Sequence, residues 1–132
     1  MIHIPVSLGE LVDRLTIVAL KARHLSGDAQ VRVRQELELL EAVYAPLRPQ
    51  VPEPLQAQLA AVNAELWQLE DGVRDCERRG AFGESFVAMA RSIYRLNDRR
   101  AALKRQISLS GGSALLEEKV YGKGQGAGSA GD

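Results

Sequence analysis

The chain has a single cysteine, Cys76, so it can form no internal disulfide. That excludes a secreted disulfide scaffold and makes a reducing cytoplasm the expected compartment. Neither sign of charge is in excess: 17 Lys and Arg balance 17 Asp and Glu. A dedicated nucleic-acid binder usually shows a strong basic surplus, so that class is disfavoured. Aromatic residues make up 5% of the sequence, which leaves aliphatic side chains to fill the interior. No apolar run approaches the ~18 residues that span a bilayer, and the N-terminus lacks a basic segment leading into an apolar one. No membrane association is therefore expected. His3 and His24 share no metal-ligand spacing, and no Gly-Lys-Ser/Thr phosphate loop is present, so neither a metal nor a cofactor is expected.

What the sequence does contain is helical periodicity. At 132 residues there is length for one domain with its own core. Ile2, Ile4 and Val6 alternate with His3 and Pro5 in a short extended lead-in. Ser7 and Glu10 then stand as a capping-box pair, and apolar residues recur from Leu8 to Leu25, which predicts a helix over residues 8 to 25. Asp28 is placed to cap a second helix over residues 29 to 45, with a seam of Val33, Leu37, Leu40 and Tyr44. Four of the five prolines crowd between Pro46 and Pro54, forming a stiff connector. Leu55, Leu59, Val62, Leu66, Leu69, Val73 and Cys76 form the seam of a third helix, which Gly80 ends. Gly72 inside it suggests a close helix crossing. A fourth helix over residues 84 to 109 follows with Phe86, Met89, Ile93, Leu96, Leu103 and Ile107. The expected architecture is an all-α, antiparallel four-helix bundle, two shorter helices on a long helical hairpin. Its domain spans residues 1 to 121, and a disordered glycine-rich tail spans residues 122 to 132. The difference in helix length leaves part of the hairpin uncovered, which points to a homodimer.

One place breaks the apolar pattern. Asn97, Arg100 and Lys104 line a stripe of helix four, and Arg100 replaces an apolar residue on the seam itself. A guanidinium there needs a carboxylate or an anionic ligand. Asp13, Asp71, Glu117 and Glu118 are the candidate internal partners. Paired internally, Arg100 would set helix register, a common use of polar seam residues; otherwise it would snorkel to the surface. Paired by a ligand, Arg100 and Lys104 would form an anion pocket, with Asn97 orienting the bound group. Ser110-Gly111-Gly112-Ser113 either stops the helix or offers backbone N–H groups to an anion through Ser113. Arg91, Arg95 and Arg99 form a separate basic row that could hold phosphates, be solvated, or pair with acidic neighbours.

Three stretches together carry a resemblance: Ile4-Pro5-Val6-Ser7-Leu8-Gly9-Glu10-Leu11, Asn97-Asp98-Arg99-Arg100-Ala101, and Gly112-Ser113 leading to Glu117-Glu118-Lys119 and Tyr121. With Leu66-Trp67 and Glu70-Asp71 between them, residues 1 to 121 resemble a bacterial family of small helical proteins of uncharacterised function. Its members are often found near surface-polysaccharide glycosyltransferases. The resemblance implies that Asp13, Asn97, Arg100, Glu118 and Lys119 belong to a shared site. It assigns no catalytic role. The functional expectation is an accessory protein engaging an anionic small molecule or a partner protein. The alternatives are a small helical enzyme acting on a carboxylate or phosphate metabolite, by fold-level analogy with chorismate mutases, and a purely structural dimeric bundle.

Overall fold

A computed structural model describes residues 1–112, and every structural statement below concerns these. Four helices follow the exposed segment 1–6: α1 (Leu8–His24), α2 (Gly27–Tyr44), α3 (Glu53–Arg79) and α4 (Glu84–Ser110). There is no strand among the described residues. The architecture is the expected all-helical bundle. The helices α3 and α4, 27 residues each, pack along each other as the long hairpin. The 17-residue α1 lies against both of them, and α2 packs chiefly on α1.

Local chemistry accounts for the ends. Ser7 is extended and its hydroxyl accepts a hydrogen bond from the Glu10 N–H at 3.1 Å, half of the capping box. The Glu10 carboxylate also accepts a hydrogen bond from Lys104 Nζ at 2.7 Å. Lys21, Arg23 and His24 sit in the last turn of α1, where positive charge complements the helix dipole. The second helix begins two residues earlier than its periodicity suggests. Ser26, not Asp28, takes the N-cap position, and Asp28 lies within the first turn, where its charge still favours the helix. The proline-rich connector is also more ordered than a plain linker. Ala45–Gln50 continues α2 as a tight 3-10 turn, with Pro46 near its start, where no N–H is required. Pro54 likewise occupies the first turn of α3. At the hairpin tip Gly80 adopts φ +64°, and the Ala81 N–H reaches back to the Cys76 carbonyl at 2.9 Å, a left-handed termination that suits glycine.

The core lies where α1 meets the proximal half of the hairpin. It gathers Leu8, Leu11, Val12 and Leu15 of α1, Leu59, Val62 and Leu66 of α3, and Leu103 and Ile107 of α4. Complete burial of residues such as Leu59 and Ile107 stabilises the fold by about 1.5–3 kcal/mol each. Tyr44 closes the base of α2, fully buried, with its hydroxyl donating to Gln56 Oε1 at 2.8 Å. Burial raises the Tyr44 pKa, against the opposing effect of the Arg48 charge. At the other end of α1, His24 stacks on Trp67 of α3 with ring centroids 4.6 Å apart.

Two glycines permit the close crossings. An added Cβ at Gly9 would collide with the Lys104 backbone carbonyl and the Ser108 hydroxyl, so α1 and α4 touch backbone to backbone there. At Gly72 the same atom would meet Met89 Sδ at 2.6 Å, confirming a close α3–α4 crossing against a flexible side chain. Alanine favours a helix interior by about 1 kcal/mol over glycine, yet the two sites should respond differently. Gly9→Ala is expected to destabilise by roughly 2–3 kcal/mol through overpacking against backbone. Gly72→Ala should change stability by less than about 1 kcal/mol, because Met89 can move aside. Chemical denaturation of both variants checks the contrast; equal losses would contradict it.

Candidate functional site

Three successive rungs tie α1 to α4. The Gly9 N–H, one of the orphan donors of the first turn of α1, donates to Ser108 Oγ at 2.9 Å. Lys104 Nζ donates to Glu10 Oε2 at 2.7 Å. Arg100 grips Asp13 with both arms of its guanidinium, Nε to Oδ1 at 2.9 Å and Nη2 to Oδ2 at 2.6 Å. The four-residue spacing of Arg100, Lys104 and Ser108 puts them in one row of α4, and antiparallel packing presents that row to the start of α1.

The third helix completes the cluster. Asn63 Nδ2 donates to Asp13 Oδ1 at 2.9 Å and to Thr16 Oγ1 at 2.6 Å. The Thr16 hydroxyl in turn donates to the Asp13 carbonyl at 2.7 Å. Lys104 Nζ also stands 3.9 Å from Asp13 Oδ2. Asp13 is therefore the hub, with its side chain 3% exposed. Among the described residues no buried side-chain N or O atom lacks a hydrogen-bond partner.

The electrostatics follow from the geometry. Burial pushes the Asp13 carboxyl upward, but hydrogen bonds from Arg100 and Asn63, with the charges of Arg100 and Lys104, outweigh it and hold the pKa below the ordinary range. The hydrogen bond to Asp13 raises the Arg100 pKa, against the opposing effect of burial. Both groups stay charged at neutral pH.

Of the residues singled out in the sequence, Asp13, Arg100 and Lys104 come together in this cluster. Of the candidate partners for Arg100, Asp13 makes the pair, and Asp71 is exposed on α3. Asn97 is half-buried one turn before Arg100, and its side chain joins no hydrogen bond among the described residues. Ser113, Glu117, Glu118 and Lys119, the segment 114–121 and the glycine-rich tail lie outside the described residues. Four participants were not singled out: Glu10 as a lysine partner, Asn63, Thr16 and Ser108. Ser108 was within reach, since it extends the Arg100–Lys104 row by one more step of four. Arg91, Arg95 and Arg99 are exposed on the outer side of α4 and form no ion pair among the described residues. No group of three or more His, Cys, Asp or Glu among the described residues could hold a metal ion, and no helix is long and apolar enough to cross a membrane.

Fold and cluster together define an all-helical bundle protein with an interhelical ionic lock. The chain belongs to DUF6165, a family of unknown function, which it matches over residues 2–130. That match includes the segment from residue 122 to residue 130 as well as the helices. No curated protein and no solved structure is significantly similar to the chain.

Removing one partner of a buried, doubly bonded ion pair strands the other charge. Arg100→Ala is expected to destabilise the fold by about 3 kcal/mol at neutral pH. The double variant Asp13→Leu/Arg100→Leu should recover at least half of that loss, because it buries no uncompensated charge. Additive losses in urea titration would refute the pairing as the origin. The folded Asp13 carboxyl titrates below the unfolded one, so its contribution is complete above about pH 5 and is lost as pH falls through ~3.9 and below. Asp13→Asn should flatten the fall in stability across that acid window, measured by denaturation at successive pH values.

Proposed function

We propose that this protein is a helical accessory module that engages an acidic partner protein through the outer face of α4. The supporting observation is the division of its basic residues. Arg100 and Lys104 are engaged with Asp13 and Glu10, whereas Arg91, Arg95 and Arg99 stand exposed in one row. Tyr94, 68% exposed, sits between Arg91 and Arg95, and Val87 lies exposed two turns earlier on the same side. Tyrosine and arginine side by side on a rigid helix are the side chains that dominate binding energy at protein interfaces.

The anion-pocket reading needs Arg100 to give up a bidentate carboxylate for a ligand, which would leave Asp13 buried and partly unpaired. The reading of a small enzyme acting on a carboxylate or phosphate metabolite meets the same obstacle. Surface-polysaccharide assembly, suggested by the family resemblance, is where the partner should be sought first. A homodimer is compatible with this role.

Affinity capture with wild type and with Arg91→Glu/Arg95→Glu/Arg99→Glu, followed by titration of the purified captured protein, tests the proposal. The triple variant should keep its helicity and melting temperature while binding at least tenfold more weakly, and wild-type binding should weaken as salt rises. Equal affinity in the two proteins would end this reading. A thermal shift by phosphate or a sugar nucleotide that disappears in Arg100→Ala would restore the anion pocket instead.

A further inference from the structure

The second helix carries apolar side chains on two faces. Leu37, Leu40 and Tyr44 pack against the core, and Val33 is half-buried beside them. On the other side Val31, Leu39 and Val43 are 56%, 55% and 57% exposed. Their spacing places them, with Gln35, in one continuous row along the helix. Tyr44 is the one buried residue in the 18 residues of α2. A helix with two apolar stripes sits between two partners. The first helix is one of them, and the outer stripe has none among the described residues.

Charge decides the occupant. Beyond Asp28 in the first turn, the exposed charges of α2 form a row of one polarity: Arg32 and Arg34 are basic toward the start of the helix, and Glu38 and Glu41 are acidic toward its end. A parallel copy would set Arg34 against Arg34 and Glu38 against Glu38. An antiparallel copy, related by a two-fold axis at the level of Leu37, sets Val31 against Val43 of the second copy and Gln35 against Leu39 of the second copy. It also brings Arg34 beside Glu38 and Glu41 of the second copy, and by symmetry repeats each contact. The row is self-complementary in one orientation and self-repelling in the other. The hairpin exposes Phe82 at its tip, Val87 and Tyr94 beside the arginines of α4, and Leu109 at the far end of α4, which do not make one apolar row. Its seam residues Leu69, Val73, Met89 and Ile93 are already partly covered between α3 and α4, and the outer row Arg91, Arg95, Arg99 would repel its own copy.

From this juxtaposition we infer that two copies of the chain associate through α2 packed antiparallel on α2, with Val31, Leu39 and Val43 as the apolar stripe and Arg34 with Glu38 and Glu41 as the flanking pairs. The helix is ~27 Å long, so the interface lies at the small end of specific contacts, and the dimer dissociates in the micromolar range.

Sedimentation velocity of the full-length protein through that range, at moderate salt, is the experiment. Wild type should show a concentration-dependent dimer, and Leu39→Glu should raise the dissociation constant at least tenfold with unchanged circular dichroism. Arg34→Glu alone and Glu41→Arg alone should each raise it several-fold. The triple variant Arg34→Glu/Glu38→Arg/Glu41→Arg should return it close to wild type, since reversing all three charges restores opposite charges across the two-fold axis. A monomer at every concentration overturns the inference. So does a dimer indifferent to Leu39→Glu, which would place the interface elsewhere, or a charge swap that fails to restore association.

Discussion

A carboxylate with 3% of its side chain exposed stays ionised inside a helical bundle only if the protein replaces nearly everything that water gave it. Asp13 receives two charge-assisted bonds from Arg100, one from Asn63, and the nearby ammonium of Lys104. These groups come from α4 and α3, so the carboxylate is satisfied only when both long helices are in place around α1. The pair joins residues 87 positions apart in the chain. Its formation therefore requires the hairpin, the first helix and their mutual register at once, which makes Asp13 a reporter of the whole tertiary arrangement.

The same demand explains the backbone contact beside it. Holding α1 close enough for Glu10 and Asp13 to reach α4 brings the Gly9 backbone against the Lys104 carbonyl, where no side chain fits. The reward is a hydrogen bond from the Gly9 N–H to Ser108, which satisfies a donor that a first helical turn cannot satisfy internally. Close approach, capping and ion pairing are thus one local solution. Farther along α1 the stacking of His24 on Trp67 takes over, so the helix is held at both ends.

The fold was largely legible because aliphatic seams at three- and four-residue spacing leave little choice besides helices, and Ser7 and Gly80 marked two of the ends. The boundaries that shifted did so for local reasons. Ser26 takes the cap position that suits Asp28 equally well, and a 3-10 turn accommodates Pro46 where an α-helix interior would not. Of the cluster, Arg100 was legible because a guanidinium on an apolar seam conflicts with its surroundings. Its partner was legible only as one of four candidates, since choosing Asp13 over Asp71 requires knowing which face of α3 meets α1. Asn63 stayed hidden because a small polar residue beside a seam looks the same whether it faces solvent or an ion pair, whereas Ser108 could be reached by extending the Arg100–Lys104 row one more step. Gly9 was hidden for a different reason: near a helix start, glycine is unremarkable until another backbone is found against it.

A core built from aliphatic side chains raises a specificity problem that this cluster answers. Seams of leucine, valine and isoleucine at regular spacing present nearly the same surface after a slip of one helical turn, ~5.4 Å along the axis. Apolar packing alone separates such registers weakly, because a leucine that leaves one hole finds another of similar shape. Polar rungs separate them strongly. A one-turn slip of α1 along α4 would move Gly9 away from Ser108, Glu10 from Lys104 and Asp13 from Arg100 together, and would place a side chain where Gly9 now admits the Lys104 carbonyl. Apolar residues in place of Asp13 and Arg100 could match the lock in stability, but they would not penalise the slipped register to the same degree. The lock therefore adds a register-dependent penalty to whatever net stability it contributes. The lock engages Arg100 and Lys104 internally, and the register it enforces fixes where α4 exposes Arg91, Arg95 and Arg99 and where α1 meets α2.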